Sequence, residues 1–216
     1  MTLDIGRSFT YMFEDESWIM KIVIGGILLF IPIINFMALG YVLEALKRTA
    51  DGMDIPLPEW DDFGGKFIKG LMAFLIALVY NIPTILAVCL QTGLIAMAGA
   101  AESDALMSMT GLVTACVYCV VPLWGIVVVL VLPAAIIRYA VTGEFMSAFQ
   151  FGEIFSFISG NIANYIVAII LYMVASFIAS FGVIACFVGV LFTEFWAYLV
   201  MAHLLGQVQR ESLAVA

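Results

Sequence analysis

The stretch LPEWDDFGGKFIKGLMAFLIALVY, from Leu57 to Tyr80, passes from an acidic, tryptophan-bearing segment through two lysines into an apolar run with no charge until Glu102. Water, membrane interface and hydrocarbon are crossed in that order. Trp60, Phe63, Phe67, Leu71 and Phe74 recur three or four residues apart, which puts them on one stripe of a helix. Asp61, Asp62, Lys66 and Lys69 fall on its other faces. Asp62 precedes Lys66 by four residues, the favourable order for a helical ion pair, and Pro58 is tolerated in a first helical turn. The pattern predicts an interfacial helix that starts near Pro58 and is anchored in lipid by Trp60, Phe63 and Phe67.

The rest of the chain has the composition that such an entry unit needs. Hydrophobic residues make up 65% of it and charged residues 11%, against roughly a quarter charged in soluble proteins. Several apolar runs exceed the ~20 residues that span a bilayer. The expected fold is all-α, a polytopic helical membrane protein with five to six membrane segments and short amphipathic interfacial helices. It forms a single integral membrane domain over residues 1–216. The net charge of −8 sits in small acidic groups at the ends of apolar runs, and no basic patch suits nucleic acid. The expected partners are the lipid bilayer and either another membrane protein or a second copy of the chain. Cys89, Cys116, Cys119 and Cys186 lie within apolar runs, where a thiol usually packs as a small hydrophobe. Residues 1–17 carry Asp4, Glu14, Asp15 and Glu16 and show no cleavable signal pattern.

In chain order, Ile5, Phe9, Met12 and Phe13 suggest a short interfacial helix. Trp18 to Leu46 is apolar except for Lys21, Asn35 and Glu44, with Pro32 near its middle. This run fits either one kinked span or a re-entrant hairpin broken around Pro32 to Asn35, with arms of about 20 Å. Further runs cover Gly70 to Ala101, Ala105 to Ile137 and Ile154 to Thr193, the last requiring a turn near Ser180 to Val183. A 90-residue shift aligns Ala45 with Ala135, Arg48 with Arg138, Phe67 with Phe157 and Gly70 with Gly160. Repeat units near 1–50, 54–142 and 144–212 would follow. Lysines and arginines flank the loop at 47–69, the end of the third run and the C-terminus, whereas the turns near Glu102 and Ser180 carry none. The positive-inside rule then places the C-terminus in the cytoplasm of a cell with the chain in its cytoplasmic (inner) membrane. All the bases agree on one side only if Trp18 to Leu46 is a hairpin.

Trp18 to Ile34 (WIMKIVIGGILLFIPII), Leu39 to Arg48 (LGYVLEALKR) and above all Pro56 to Leu71 (PLPEWDDFGGKFIKGL) resemble a domain-of-unknown-function family of bacterial and archaeal multipass membrane proteins. The resemblance implies membrane embedding and no activity, and it assigns no functional residue.

Candidate chemistry is sparse. Ionisable groups at membrane depth cost about 2.5 to 3.5 kcal/mol on insertion scales and are often functional, which singles out Glu194. Asn161 and Asn164, on one helical side after Gly160, and Asn81 complete a candidate intramembrane polar site. His203 is the chain's sole histidine. On one helix it would lie about 13.5 Å from Glu194 and on the opposite face, so no metal site is expected from the pair. Glu44 and Arg48 read as a local ion pair. No nucleophile with a base is spaced for catalysis, and no cofactor motif is present. The expectation is a non-enzymatic accessory or scaffolding subunit of a membrane complex, with a small transporter or lipid-handling protein as the alternative.

Overall fold

The computed structural model describes residues 3–101, 104–184 and 189–215. Among the described residues eight α-helices follow one another: α1 (Ile5–Thr10), α2 (Trp18–Phe30), α3 (Asn35–Ala50), α4 (Phe63–Ala101), α5 (Asp104–Thr142), α6 (Phe151–Gly160), α7 (Ile162–Ser180) and α8 (Gly189–Val215). Short 3-10 turns at Tyr11–Glu14, Phe145–Phe149 and Phe181–Ile184 punctuate them, and no strand occurs among the described residues. Among the described residues four segments are long and apolar enough to cross a membrane: α4, α5, Ile162–Ile184 and Gly189–Ala214. The protein is an all-α polytopic membrane protein. The expected outer loop at Glu102 and the thiol of Cys186 lie outside the described residues.

Local sequence explains the helix ends. Pro32 lacks an amide hydrogen and disfavours helical backbone in the residue before it; Ile31 accordingly adopts φ −93°, ψ 112° and α2 stops at Phe30. The aromatic ring of Phe195 then fixes the geometry of the two arms. It lies against Gly25 of α2 and 5.7 Å from the ring of Tyr41 in α3. Gly25 and Tyr41 are each about 9 Å of helix from the break, so α2 and α3 run antiparallel. Of the two forms open to residues 18–48, the structure adopts the hairpin. Lys47 and Arg48 sit in the last turn of α3, where they complement the helix dipole. Gly52 and Gly143, just beyond α3 and α5, take the left-handed conformation, with φ 77° and 75°.

The chain forms two compact units, Met1–Leu75 with Pro133–Ala216, and Ile76–Leu132. In the first, α8 is central and packs against α1, α2, α3 and α7. Its Phe195, Leu199, Val200, Leu204 and Val208 are fully buried. Bare glycines allow the close approaches. A Cβ on Gly40 would strike the Lys66 carbonyl, and one on Gly70 would strike the Phe36 carbonyl, so α3 and the start of α4 cross with their backbones in contact.

The second unit is an antiparallel helical hairpin. Trp124 Nε1 donates to the Tyr80 carbonyl at 3.1 Å and Gln91 Nε2 to Thr114 Oγ1 at 3.3 Å. Polar side chains on these helices turn back on their own backbones, as Asn81 does on Ala77 and Thr92 on Val88, both at 2.8 Å. That satisfies them without water. Pro83 lies within α4, and Pro122 and Pro133 within α5. α5 runs unbroken through the whole third apolar run.

Candidate functional site

The segment between α3 and α4 carries a dense polar arrangement. Tyr41 donates its hydroxyl to the Pro58 carbonyl at 2.8 Å and stacks on Trp60, with ring centroids 4.2 Å apart. Trp60 Nε1 donates to the Lys21 carbonyl at 3.1 Å. On either side of this tryptophan an acid holds a buried lysine. Lys21, 2% exposed, reaches Glu59 and Asp15, each at 2.6 Å. Lys66, 1% exposed, reaches Asp61 at 3.0 Å and Glu44 at 3.4 Å. Glu44 also takes Arg48 at 3.1 Å and Lys69 at 3.5 Å, while Arg48 donates to the Leu57 carbonyl and Arg7 to the Asp54 carbonyl. Residues 51–62 thus clasp α1, α2, α3 and α4 together at one polar end of the first unit.

Electrostatics follow the geometry. The Lys66 ammonium, with help from the Asp62 amide, lowers the Asp61 carboxyl to about 2. Burial works to raise the Asp15 carboxyl, but hydrogen bonds from Lys21 and Ser17 outweigh it and hold it below the usual carboxylate range. Glu14 raises the Arg7 guanidinium. Both lysines are buried with hydrogen-bonded counter-charges, the condition under which a buried charge is tolerated.

A second polar cluster ties down the N-terminal segment. His203 Nδ1 lies 3.0 Å from Ser8 Oγ and 2.9 Å from Gln207 Nε2, and its ring stacks on Tyr11 at 4.3 Å. Gln207 Oε1 accepts from the Asp4 amide at 2.8 Å. The histidine is buried beneath α1. The cluster's donors and acceptors meet one another, and they act to dock residues 3–14 on α8.

A third feature is a cleft of about 450 Å³ walled by the end of α5, by α6 and by the end of α8. Its polar lining includes Arg138, Thr142, Glu153, Asn161 and Gln209, and its apolar lining Val141, Phe157 and Leu213. Arg138 Nη2 donates to Gln150 Oε1 at 2.7 Å, and Nη1 is 3.5 Å from Glu153 Oε2. Arg138 Nε is buried and has no partner among the described residues.

Residues 24–188 match DUF4013, described as a protein of unknown function. The chain belongs to the DUF4013 family. No curated protein and no solved structure matches it. The DUF4013 region takes in the clasp from Glu44 to Lys69 and the cleft residues Arg138, Glu153 and Asn161; Asp15, Lys21, Glu194 and His203 lie outside it.

Two readings of the DUF4013 entry unit need correction. The helix begins at Phe63, not near Pro58, because the Asp62 carboxylate accepts from the Gly65 amide at 2.9 Å and caps it. Trp60 therefore precedes the helix, and its ring packs on Tyr41 and 6.1 Å from Phe63. Phe67 packs 5.8 Å from Phe36. The proposed Asp62–Lys66 pair gives way to Lys66 with Asp61 and Glu44, since Asp62 serves as the cap.

Within the first unit, the predicted site residues Asn161, Asn164 and Glu194 do not converge. Asn161 stands at the junction of α6 and α7 and donates to the Phe157 carbonyl at 3.0 Å. Asn164 donates to Glu211 Oε2 at 2.6 Å. Glu211 and Glu194 are seventeen residues apart on α8, about 25 Å at 1.5 Å per residue. Asn81 belongs to the second unit and bonds its own helix. Glu194 is half-buried in the first turns of α8. Among the described residues no three His, Cys, Asp or Glu side chains are grouped for a metal ion.

Proposed function

We propose that this DUF4013 protein is a non-enzymatic accessory subunit of a membrane complex, in which the Ile76–Leu132 hairpin packs against helices of another integral membrane protein. The carrying observation is the hairpin's outer surface. Leu86, Leu90, Met97, Leu112, Tyr118 and Leu123 are all at least 60% exposed. Gly93, Gly99, Gly111 and Gly125 have open space where a Cβ would sit. Lipid covers an exposed leucine as well as a protein does, but bare backbone favours close approach of another helix, where van der Waals packing drives association in bilayers. The clasp supports the same reading, because its ionisable groups face one another and not a path through the membrane. The bases gathered at that end favour a cytoplasmic face, with the C-terminus in the cytoplasm.

The test is purification in mild detergent with and without Gly111→Leu. The reading expects a stoichiometric second polypeptide, lost with the substitution while thermal stability is kept, since a Cβ at Gly111 has nothing within 4 Å. Purification of the parent chain alone, combined with solute flux in proteoliposomes, would favour a transporter instead.

A further inference from the structure

Two chain reversals in the first unit offer water no polar side chain. Residues 28–34 (LLFIPII), between α2 and α3, and residues 181–192 (FGVIACFVGVLF), from the end of α7 into α8, hold no charged, amide or hydroxyl group. Turns that emerge into water are normally rich in such groups. Both reversals lie at one end of the unit. A Cβ on Gly26 of α2 would strike the ring of Phe192 in the first turn of α8, and the Thr193 hydroxyl donates to the Ala179 carbonyl near the end of α7 at 2.6 Å. Phe30, Ile33 and Ile184 are bare there, 72%, 67% and 82% exposed. The backbones close locally. The amides of Ile31, Asn35, Phe36 and Met37 bond the carbonyls of Leu28, Ile31, Ile33 and Ile34, and a 3-10 turn covers Phe181–Ile184. A turn immersed in lipid requires this, since no water is there to take up free amides and carbonyls.

The clasp limits how deep this end can go. Trp60 stands beside Phe195, with ring centroids 6.3 Å apart, and donates to the Lys21 carbonyl. Glu59 and Asp61 flank it with side chains 66% and 72% exposed, so water reaches that level, because exposed carboxylates are costly in hydrocarbon. Phe195 is six residues from Gly189, and Lys21 is nine from Phe30, about 9 and 14 Å of helix. Half of a ~30 Å hydrocarbon core is ~15 Å. An apolar end seated in the far headgroups would hold both carboxylates inside hydrocarbon. An end that stops near the bilayer centre leaves them at the near headgroups, and Glu194, next to Phe195, stands at the same level. We propose that the first unit is re-entrant: its α2–α3 and α7–α8 hairpins enter the leaflet on the clasp side together, end within the hydrocarbon, and return the chain to the side it came from. α7 has 19 residues, about 28 Å, which exceeds one leaflet. It therefore slants, and its exposed row of Ile162, Ile170, Met173 and Phe177 lies along the acyl chains. The assignment is independent of the accessory role, since it concerns the first unit and makes no use of the Ile76–Leu132 hairpin.

Full-length protein with its four native cysteines changed to alanine, in proteoliposomes, takes single cysteines at Ile33, at Ile184 and, in the clasp segment, at the exposed Ile55. A maleimide that cannot cross the bilayer is supplied on one side or the other. Ile55→Cys should react from one side. Ile33→Cys and Ile184→Cys should react from neither, at less than about a tenth of the Ile55→Cys extent, because maleimide attacks the thiolate and apolar surroundings suppress it. Both should react once dodecyl sulfate unfolds the protein. Reaction of Ile184→Cys from the side opposite Ile55→Cys would mean that the unit crosses the bilayer, and reaction from the same side that this end stays in water; either overturns the proposal. Bimane attached to the Ile33→Cys and Ile184→Cys thiols in detergent, before reconstitution with phospholipids brominated at set depths, separates lipid from protein as the cover. Quenching should be strongest from bromines near the acyl-chain ends. Strongest quenching from bromines near the headgroups, or none at any depth, would likewise overturn the proposal.

Discussion

Glu44→Gln is the perturbation that tests the clasp most sharply, because Glu44 is the shared counter-charge of Lys66, Arg48 and Lys69. Removing one partner of a buried pair typically costs ~3–5 kcal/mol through the charge left behind. Lys66 would keep Asp61 at 3.0 Å and the Glu44 side chain is itself 19% exposed, so we expect a loss of about 2 kcal/mol. Lys66→Met should behave differently. It removes the buried charge, replaces the stem with an apolar one, and leaves Glu44 paired to Arg48 and Lys69. Exchange of a buried ionic group for a well-packed apolar one is often neutral, and a change within about 1 kcal/mol is expected. Reversible unfolding of the detergent-solubilised protein by sodium dodecyl sulfate, followed by circular dichroism, measures both. A Lys66→Met loss equal to that of Glu44→Gln, or a Glu44→Gln variant as stable as the parent, would refute the view that Glu44 holds the charge balance of the clasp.

Asp61 gives a pH signature. Its folded carboxyl titrates at about 2, lowered first by the Lys66 hydrogen bond, so its contribution is fully present above the ordinary carboxylate range and is lost as pH falls through the folded value. In Lys66→Met, carboxyl-detected NMR should find Asp61 titrating upward toward that ordinary range; an unchanged titration would mean that Lys66 does not hold it. Gly70→Ala should destabilise by about 1–3 kcal/mol, the usual cost of overpacking, because its Cβ would strike the Phe36 carbonyl. Gly93→Ala, with nothing within 4 Å, should be neutral or stabilising by up to about 1 kcal/mol in the same unfolding assay, from helix propensity alone.

Much of the fold is legible in the sequence because it depends on local chemistry. Uncharged apolar runs longer than a bilayer is thick mark the long helices, Pro32 marks the break between α2 and α3, and the spacing of Glu44 and Arg48 marks an ion pair that the structure contains. The turn after Ser180 likewise falls where a 40-residue uncharged run is too long for one helix. The start of the entry helix is not legible, because a three-and-four spacing cannot tell a stripe from an aromatic residue recruited by a distant partner. Trp60 continues the stripe in sequence, yet Tyr41 and the Lys21 carbonyl take it out of the helix. The same limit hides the His203 cluster, whose Ser8 lies 195 residues away. Asn161 and Asn164 look like one helical face until the break after Gly160 sends them to different partners. The Arg138 cleft has a faint signal in the shift that aligns Arg138 with Arg48, but the unpartnered Nε is visible only in three dimensions.

The central proposal, that the hairpin faces another membrane protein, is tested most directly by a photo-crosslinking amino acid placed in intact membranes at Leu112, which is 68% exposed, and at Leu199, which is fully buried. The account predicts a discrete adduct between the Leu112 position and one different polypeptide, and no intermolecular adduct from the Leu199 position. Adducts to lipid alone at the Leu112 position would contradict it.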